Sequence, residues 1–286
     1  MRRRAVLPLV AVLGAAAAGA CTEVTTDPQA PVSLAFDSLP APSIVPGDTL
    51  RDVDGVASPL TASAFNVDGD PIAGAPITFT LVPPDSTPAS RAALSVTPEG
   101  YVLAVDTARP SSSAYRVLAQ VGNLQSRSTT RTTLTVVPRP DSLEVQAPTG
   151  NDTLLLYNAT DSTSSGRRAV SVKVRLLHDS LGAASVPVGP YLVRFEVVAD
   201  SAAGAVLDSV RFIRESRREV TTVVATGTDG VATARLQAFP RANATAPAPD
   251  SIVLRASARR RLSPDAVGDV RASPVRLVVR VAPGPV

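Results

Sequence analysis

Apolar and polar positions alternate in short stretches from residue 31 onward, and turn residues separate the stretches. This period of two is typical of half-buried β-strands, and the content of Val, Thr, Phe and Tyr favours the same structure. In the first half of the chain the stretches cover residues 32–36, 60–65, 77–82, 101–105, 115–121 and 132–137. No run of helical periodicity stands out. Strands at this spacing predict an all-β protein built from β-sandwiches.

The order of these stretches repeats in the second half of the chain. Residues 47–50 match 151–154, and residues 98–102 match 228–232. The other matched pairs are 60–66 with 170–177, 76–82 with 191–198, 115–121 with 251–258, and 132–137 with 274–281. Pro138, Arg139 and Pro140 stand between the copies and predict a short stiff linker. The repeat therefore predicts two tandem domains, at residues 31–138 and 141–284.

The first 20 residues have the layout of a secretory signal peptide. Three arginines at positions 2–4 precede an apolar run that ends at Ala18, Gly19 and Ala20, directly before Cys21. This end resembles the bacterial lipobox, in which the cysteine thiol becomes the site of lipid attachment. Ordinary cleavage after Ala20 is the alternative, and it would leave a free cysteine. Cys21 is the only cysteine of the chain, and we therefore predict its lipidation, with residues 21–30 as a polar tether. Thr22, in place of Asp, resembles the pattern sorted to the outer membrane.

Residues 60–81 carry a resemblance to a known family. They read LTASAFNVDGDPIAGAPITFTL, in which a strand, an Asp-Gly-Asp-Pro turn and a second alternating strand follow one another. This segment resembles bacterial Ig-like domains, and the invasin and intimin type is the nearest. The resemblance implies two tandem Ig-like β-sandwich domains after a lipoprotein signal peptide. Phe79 and Phe195 occupy matching positions of the two copies, and we expect both to be buried.

Charge is distributed unevenly along the chain. Loss of the signal peptide removes three arginines and leaves 25 basic against 25 acidic residues, so that net charge gives no argument for binding of nucleic acid. Residues 31–138 carry a balance of −3, and residues 141–286 a balance of +4. Several arginines of the second copy fall in predicted loops and are candidate contacts for an anionic partner, the alternative being solvated loop arginines. These arginines are Arg217, Arg218, Arg259, Arg260 and Arg261.

The sequence offers few groups for catalysis. His178 is the only histidine and Lys173 the only lysine, and an alternating strand would place them on opposite faces. We expect His178 to be an exposed residue beside a turn. A zinc site needs several His or Cys ligands, and nucleophilic catalysis needs an activated residue with a base in reach. We therefore expect no enzymatic activity and no cofactor.

Calcium is the one metal for which the sequence offers ligands in a pattern. Asn66, Asp68 and Asp70 supply oxygen atoms at alternate positions, as the start of an EF-hand loop does. The positions where that loop needs Gly and a final acid hold Pro71 and Ile77, so the EF-hand reading fails. A looser calcium site and a solvated turn are the two interpretations, and the turn is favoured.

Two classes of function fit these observations. The first is a non-catalytic envelope lipoprotein, anchored in the outer membrane by lipid, whose Ig-like domains act as a surface scaffold, spacer or adhesive binding module. The second is an accessory subunit of an envelope assembly that binds one partner protein or an anionic glycan through loops of the second domain.

Overall fold

The computed structural model describes residues 30–85, 87–122, 124–125, 133–148, 153–156, 169–179, 184–198, 210–214, 217–239, 251–263 and 266–283. The first half of the chain contains β1 (Ser33–Ser38), β2 (Ser43–Ile44), β3 (Thr61–Phe65), β4 (Thr78–Val82), α1 (Pro88–Ala93), β5 (Leu94–Val96), β6 (Val102–Ala104), β7 (Tyr115–Val121), β8 (Leu124–Gln125) and β9 (Thr133–Val136). Each alternating stretch therefore contains a strand, whereas the short strands β2, β5 and β8 and the helix α1 are additions that the pattern did not predict.

The second half of the chain contains strands throughout its described residues. They are β10 (Ser142–Ala147), β11 (Thr153–Leu156), β12 (Ala169–His178), β13 (Val186–Pro187), β14 (Leu192–Val197), β15 (Val210–Arg214), β16 (Arg217–Glu219), β17 (Thr221–Ala225), β18 (Val231–Ala238), β19 (Ser251–Ser257), β20 (Arg259–Ser263), β21 (Ala266–Asp269) and β22 (Val275–Pro283). In the part of the chain that the structure describes, no helix is long and apolar enough to cross a membrane.

The strand order of the second half is that of an immunoglobulin-like sandwich. One sheet has the order β10-β12-β18-β15-β16, and the other has the order β11-β22-β19-β14-β17. If β10, β12, β14, β15, β18, β19 and β22 are labelled A to G, the two sheets contain A-B-E-D and G-F-C, which is the immunoglobulin arrangement. β11 adds to the second sheet by parallel pairing with β22.

The first half follows the same plan with one sheet divided. β4, β7, β9 and β2 form the sheet that corresponds to C, F, G and the added parallel strand. The opposite side consists of two separate ladders, β1-β3 and β5-β6. A hydrogen bond of 2.9 Å from the Leu60 N–H to the Gly100 carbonyl joins them. The predicted fold class, all-β with Ig-like sandwiches, is confirmed.

The structure confirms one pair of positions that the sequence repeat matched and contradicts another. Gly100 and Gly230 have matching roles, since each has a positive φ and each carbonyl accepts from a leucine N–H. Residues 47–50 and 151–154, by contrast, are not equivalent. The counterpart of β11 is β2, because each pairs in parallel with the last strand of its half. β2 ends early because Pro46, two residues on, has no N–H with which to extend the ladder.

The buried side chains of the described residues form two clusters. One includes Leu50, Val102, Val117 and Leu134, and its members end at Val136. The other begins at Val137 and contains Phe195 and Phe212, whose ring centroids are 6.2 Å apart. The domain limits at residues 31–138 and 141–284 remain predictions.

Phe195 is completely buried, as expected, but Phe79 is not. Phe79 lies on β4, which pairs only with β7 among the described strands and is therefore an edge of its sheet. Its ring packs against Phe36 in an edge-to-face arrangement with centroids 5.9 Å apart and stays partly exposed. The expectation of full burial at Phe79 is wrong, because an edge strand has neighbours on one side only. The predicted alternation is correct, since Thr78 and Thr80 are exposed.

Candidate functional site at the junction of the two sandwiches

A short hairpin of the first sandwich points toward the second. It spans residues 51–57 and is closed by a bridge between Arg51 and Ala57. The Asp52 carboxylate accepts hydrogen bonds from the N–H groups of Asp54 and Val56, at 2.9 and 3.0 Å, and thereby fixes the turn. Gly55 follows with a φ of +76°, which only glycine adopts without strain. Local sequence thus shapes a tight turn that presents Asp54.

Asp54 forms the central ion pair of the junction with Arg194 of β14. The guanidinium atoms Nη1 and Nη2 lie 2.6 and 2.9 Å from the two carboxylate oxygens, which is the bidentate geometry of an Arg–carboxylate pair. The hydrogen bond from Arg194 lowers the pKa of Asp54 and raises the pKa of Arg194 in return. Both groups therefore stay charged at neutral pH, and the pair is formed between residues 140 positions apart.

The β20–β21 hairpin of the second sandwich completes the contact. Arg259 Nη1 donates to the Asp54 carbonyl at 3.0 Å, and Arg261 Nη1 donates to the Gly47 carbonyl at 2.9 Å. Gly55 packs so closely that a Cβ there would lie 2.3 Å from Val267 Cγ1. Tyr191 holds the base of the hairpin by donating its hydroxyl to the Arg259 carbonyl at 2.7 Å.

A second group of polar contacts surrounds Asp141, just after the predicted linker. Arg260 donates to this carboxylate and, at 2.7 Å, to the Pro140 carbonyl. The Asp179 N–H lies 3.1 Å from Asp141 Oδ2. Burial raises the pKa of Asp141, but the hydrogen bonds from Arg260, the Asp179 N–H and His178 outweigh it and hold the pKa below its usual 3.8. The carboxylate is thus ionised and engaged where the two sandwiches meet.

His178 differs from expectation. His178 Nδ1 lies 2.7 Å from Asp141 Oδ2 and 2.8 Å from the Arg139 carbonyl, so the ring is part of the junction and not a free residue beside a turn. Pro140 is buried, and its carbonyl is bonded. Within the predicted linker, Pro140 is therefore packed, Pro138 is half-buried and Arg139 is exposed, and the stiffness of this linker stays a prediction.

The predicted arginine sites divide into two groups. Arg259, Arg260 and Arg261 lie on β20 and not in a loop, and their contacts are with the first sandwich and with Asp141. The prediction that this triplet lies in a loop is wrong, because it lies on β20, where other groups of the chain accept its hydrogen bonds; its contact with an anionic partner stays a prediction. Arg217 and Arg218 are exposed on β16, also a strand, and the Arg218 guanidinium lies 3.8 Å above the Phe239 ring.

The calcium candidates form a turn. Asn66 Oδ1 accepts hydrogen bonds from the N–H groups of Asp68 and Asp70, at 3.0 and 2.8 Å, and the Asn66 side chain is buried. The Asp68 and Asp70 side chains are exposed. Among the described residues, no three His, Cys, Asp or Glu side chains gather in a group that could hold a metal ion. Cys21 lies outside the described residues.

Sequence reasoning missed the residues that hold the junction together. Asp54, Arg194, Asp141 and Tyr191 are scattered along the chain, and none belongs to a motif. The opposite net charges of the two halves are the signal that could have found them. Acidic residues of the first copy and arginines of the second attract one another, and the short chain between the copies keeps them close together.

A groove of about 630 Å³ opens in the first sandwich, beside α1. Its lining includes Asp85, Arg109 and Tyr115, and the Tyr115 hydroxyl donates to the Ser90 carbonyl at 2.7 Å. Burial raises the pKa of this phenol, so the hydroxyl keeps its proton and acts as a structural donor. The described lining contains no His or Lys side chain to serve as a base.

Comparisons with known proteins give weak similarities. No family model matches the chain, and no curated protein matches it. Among solved structures, the Escherichia coli adhesin FdeC is 17% identical with a TM-score of 0.25, over 87% of this chain and 63% of that one. The extracellular domain of protocadherin gammaB4 is 12% identical with a TM-score of 0.26, over 88% and 34%. E. coli alpha-2-macroglobulin is 15% identical with a TM-score of 0.31, over 87% and 14%. The chain spans less than two thirds of each of these structures. The fold class is assigned from the strand order of the chain itself.

Proposed function

We propose that this protein is a non-catalytic cell-envelope lipoprotein in which two Ig-like domains form a spacer of fixed geometry. The spacer acts as a surface scaffold or adhesive module by holding its second domain away from a lipid anchor at Cys21. The observation that carries the proposal is the junction, where Asp54, Arg194 and the β20–β21 hairpin tie the two sandwiches together. The resemblance of residues 60–81 to invasin- and intimin-type Ig-like domains supports a surface role.

A fixed junction is useful to a spacer because a flexible linker would let the second domain fold back toward the membrane. The contacts come from separate elements: the 51–57 hairpin, β14, the β20–β21 hairpin and the buried Pro140. Each exposed ion pair is worth only about 0–1 kcal/mol. The Asp54–Arg194 pair, the hydrogen bonds from Arg259 and Arg261, and the close Gly55–Val267 contact together define one relative orientation better than the ion pair alone does.

The absence of catalysis is part of the proposal. His178 and Lys173 lie five residues apart on β12, and His178 is already hydrogen-bonded to Asp141. Nucleophilic catalysis needs a base that is within reach of an activated nucleophile. A histidine occupied by a structural carboxylate, far from the one lysine, supports binding as the role of this chain.

Removal of junction arginines should make the molecule flexible without unfolding it. We expect the Arg194→Ala/Arg261→Ala double variant to show a broader small-angle scattering distance distribution, since both changes remove contacts between the sandwiches. The control is Arg255→Ala/Arg276→Ala, which loses the same charge and an ion pair within the second sandwich, Arg255 with Glu196. Identical scattering curves for the wild type and the junction variant, with both folded, would contradict a fixed spacer.

Replacement of Cys21 should separate the protein from membranes. In a host with lipoprotein processing, we expect Cys21→Ser to move the protein to the soluble fraction, because several acyl chains at ~0.8 kcal/mol per buried methylene are lost. Thr22→Ser is the control and should stay with the membrane. Mass spectrometry of the mature wild-type N-terminus checks the acyl mass. A wild-type chain that begins at unmodified Cys21 and appears in the medium argues for ordinary cleavage.

A further inference from the structure

The outer face of one sheet in the second sandwich is rich in cations. On β12 and β18 the side chains alternate, so that Val172, Val174, Ala234 and Leu236 are buried and their neighbours point outward. We call the cationic side chains among the outward-pointing residues of this sheet the basic face. It consists of Lys173 and Arg175 on β12, Arg235 on β18, Arg211 on β15 and Arg218 on β16.

The central cations of the basic face have no acidic neighbour of their own. Within the described ranges, neither Lys173 nor Arg235 forms an ion pair, and Glu144, opposite Arg175 in the β10–β12 register, is the acid on this face. Two arginines of the opposite sheet differ, since Arg194 is paired with Asp54 and Arg255 with Glu196. Lys173 and Arg235 therefore carry positive charge that no ion pair with another described residue neutralises.

Small hydroxyl side chains lie between these cations. Ser171 is directly opposite Arg235, and Thr233 is directly opposite Lys173, in the antiparallel register of β12 and β18. Directly opposite residues of an antiparallel pair point to the same face of the sheet. Successive outward positions are about 6.5–7 Å apart along a strand, and neighbouring strands are about 4.8 Å apart. In this block of four residues each hydroxyl group lies beside a cation, and Arg175 adds a further cation opposite Val231.

We propose that the basic face binds an anionic polysaccharide, a polymer of acidic sugars. Cations at regular spacing match repeated carboxylates, and the interspersed Ser and Thr hydroxyl groups match sugar hydroxyls as hydrogen-bond partners. A lipid bilayer fits less well, because no large apolar side chain stands exposed at the outward positions of β12 and β18 in the described structure. The inference rests on the proposed function, since a fixed spacer is what carries this face away from the membrane.

The test compares two charge reversals of equal size on opposite sheets. Lys173→Glu/Arg235→Glu alters the basic face, and Arg276→Glu/Arg280→Glu alters exposed arginines of β22 on the other sheet. The probe is polygalacturonate added to the full mature chain, with neutral dextran as a reference polymer. We expect the first variant to bind about tenfold or more weakly and the second to bind within about twofold of the wild type, with binding that weakens as salt rises.

Four outcomes would overturn the proposal. They are no binding of polygalacturonate by the wild type, an equal loss in both variants, equal binding of dextran, and tighter binding to phosphatidylglycerol vesicles than to the polymer. Lys173→Gln/Arg235→Gln repeats the test with a milder change, and thermal melting establishes that each variant is folded. Failure of the spacer proposal can be told apart from failure of this one. The spacer proposal is tested by scattering from junction variants, and those variants leave Lys173 and Arg235 in place.

Discussion

Phe195→Ala should lower the free energy of unfolding of the second sandwich by about 3–5 kcal/mol, the range for emptying a buried aromatic site. Phe195 is completely buried and packs against Phe212, with ring centroids 6.2 Å apart. A domain of this size has only about 5–15 kcal/mol of stability in total. The variant should therefore melt at a much lower temperature, which circular dichroism in the strand region measures.

Phe79→Ala is the matched variant in the first sandwich. Because Phe79 lies on an edge strand and stays partly exposed, its loss removes less burial and should cost about 1–2 kcal/mol. Its edge-to-face contact with Phe36 is the main interaction lost. Equal costs at the two positions would show that the different burial of the two rings does not govern their contribution.

Gly230→Ala should destabilise the second sandwich through its backbone. Gly230 has a φ of +75°, and a Cβ there would lie 2.7 Å from the Leu176 carbonyl oxygen and 3.1 Å from the Val188 nitrogen. A non-glycine residue in the left-handed region costs about 1–3 kcal/mol before any clash is counted. The clash is with backbone, which cannot rotate away, so we expect a total above about 3 kcal/mol, measured by urea unfolding.

Gly69→Ala separates the two parts of that cost. Gly69 has a φ of +85°, but nothing lies within 4 Å of a Cβ built there. Its replacement should therefore show the conformational part alone, about 1–2 kcal/mol. If Gly69→Ala is as damaging as Gly230→Ala, steric contact with Leu176 is not the reason that position 230 needs glycine.

The strands were predictable because successive residues of a half-buried strand face the core and the solvent in turn, which gives the sequence a period of two. β7 shows this most clearly, since the alternate residues Tyr115, Val117, Ala119 and Val121 are buried. α1 was not predicted, because six residues are too few to show a helical period. Its remaining signals are local: Thr87 caps the helix by accepting from the Ser90 N–H, and Pro88 stands at its start.

The junction could not be read from the sequence in the same way. Local sequence shows that residues 259–261 are basic, but not that the carbonyls of Gly47 and Asp54, more than 200 residues earlier, accept from them. The same limit applies to Asp54 and Arg194. The burial pattern records whether a side chain faces a core, whereas an ion pair between domains depends on how two finished surfaces meet.

The parallel pairing of β11 with β22 has a mechanical consequence. Tension applied along the second sandwich draws β11 toward its first residue, Thr153, and β22 toward its last, Pro283. Because the two strands run side by side in the same direction, this load slides them past each other along their length. Every hydrogen bond of the ladder then bears the force at once, and the bonds must break together rather than one after another. We therefore expect this ladder to resist stretching more strongly than a ladder whose hydrogen bonds are loaded one at a time.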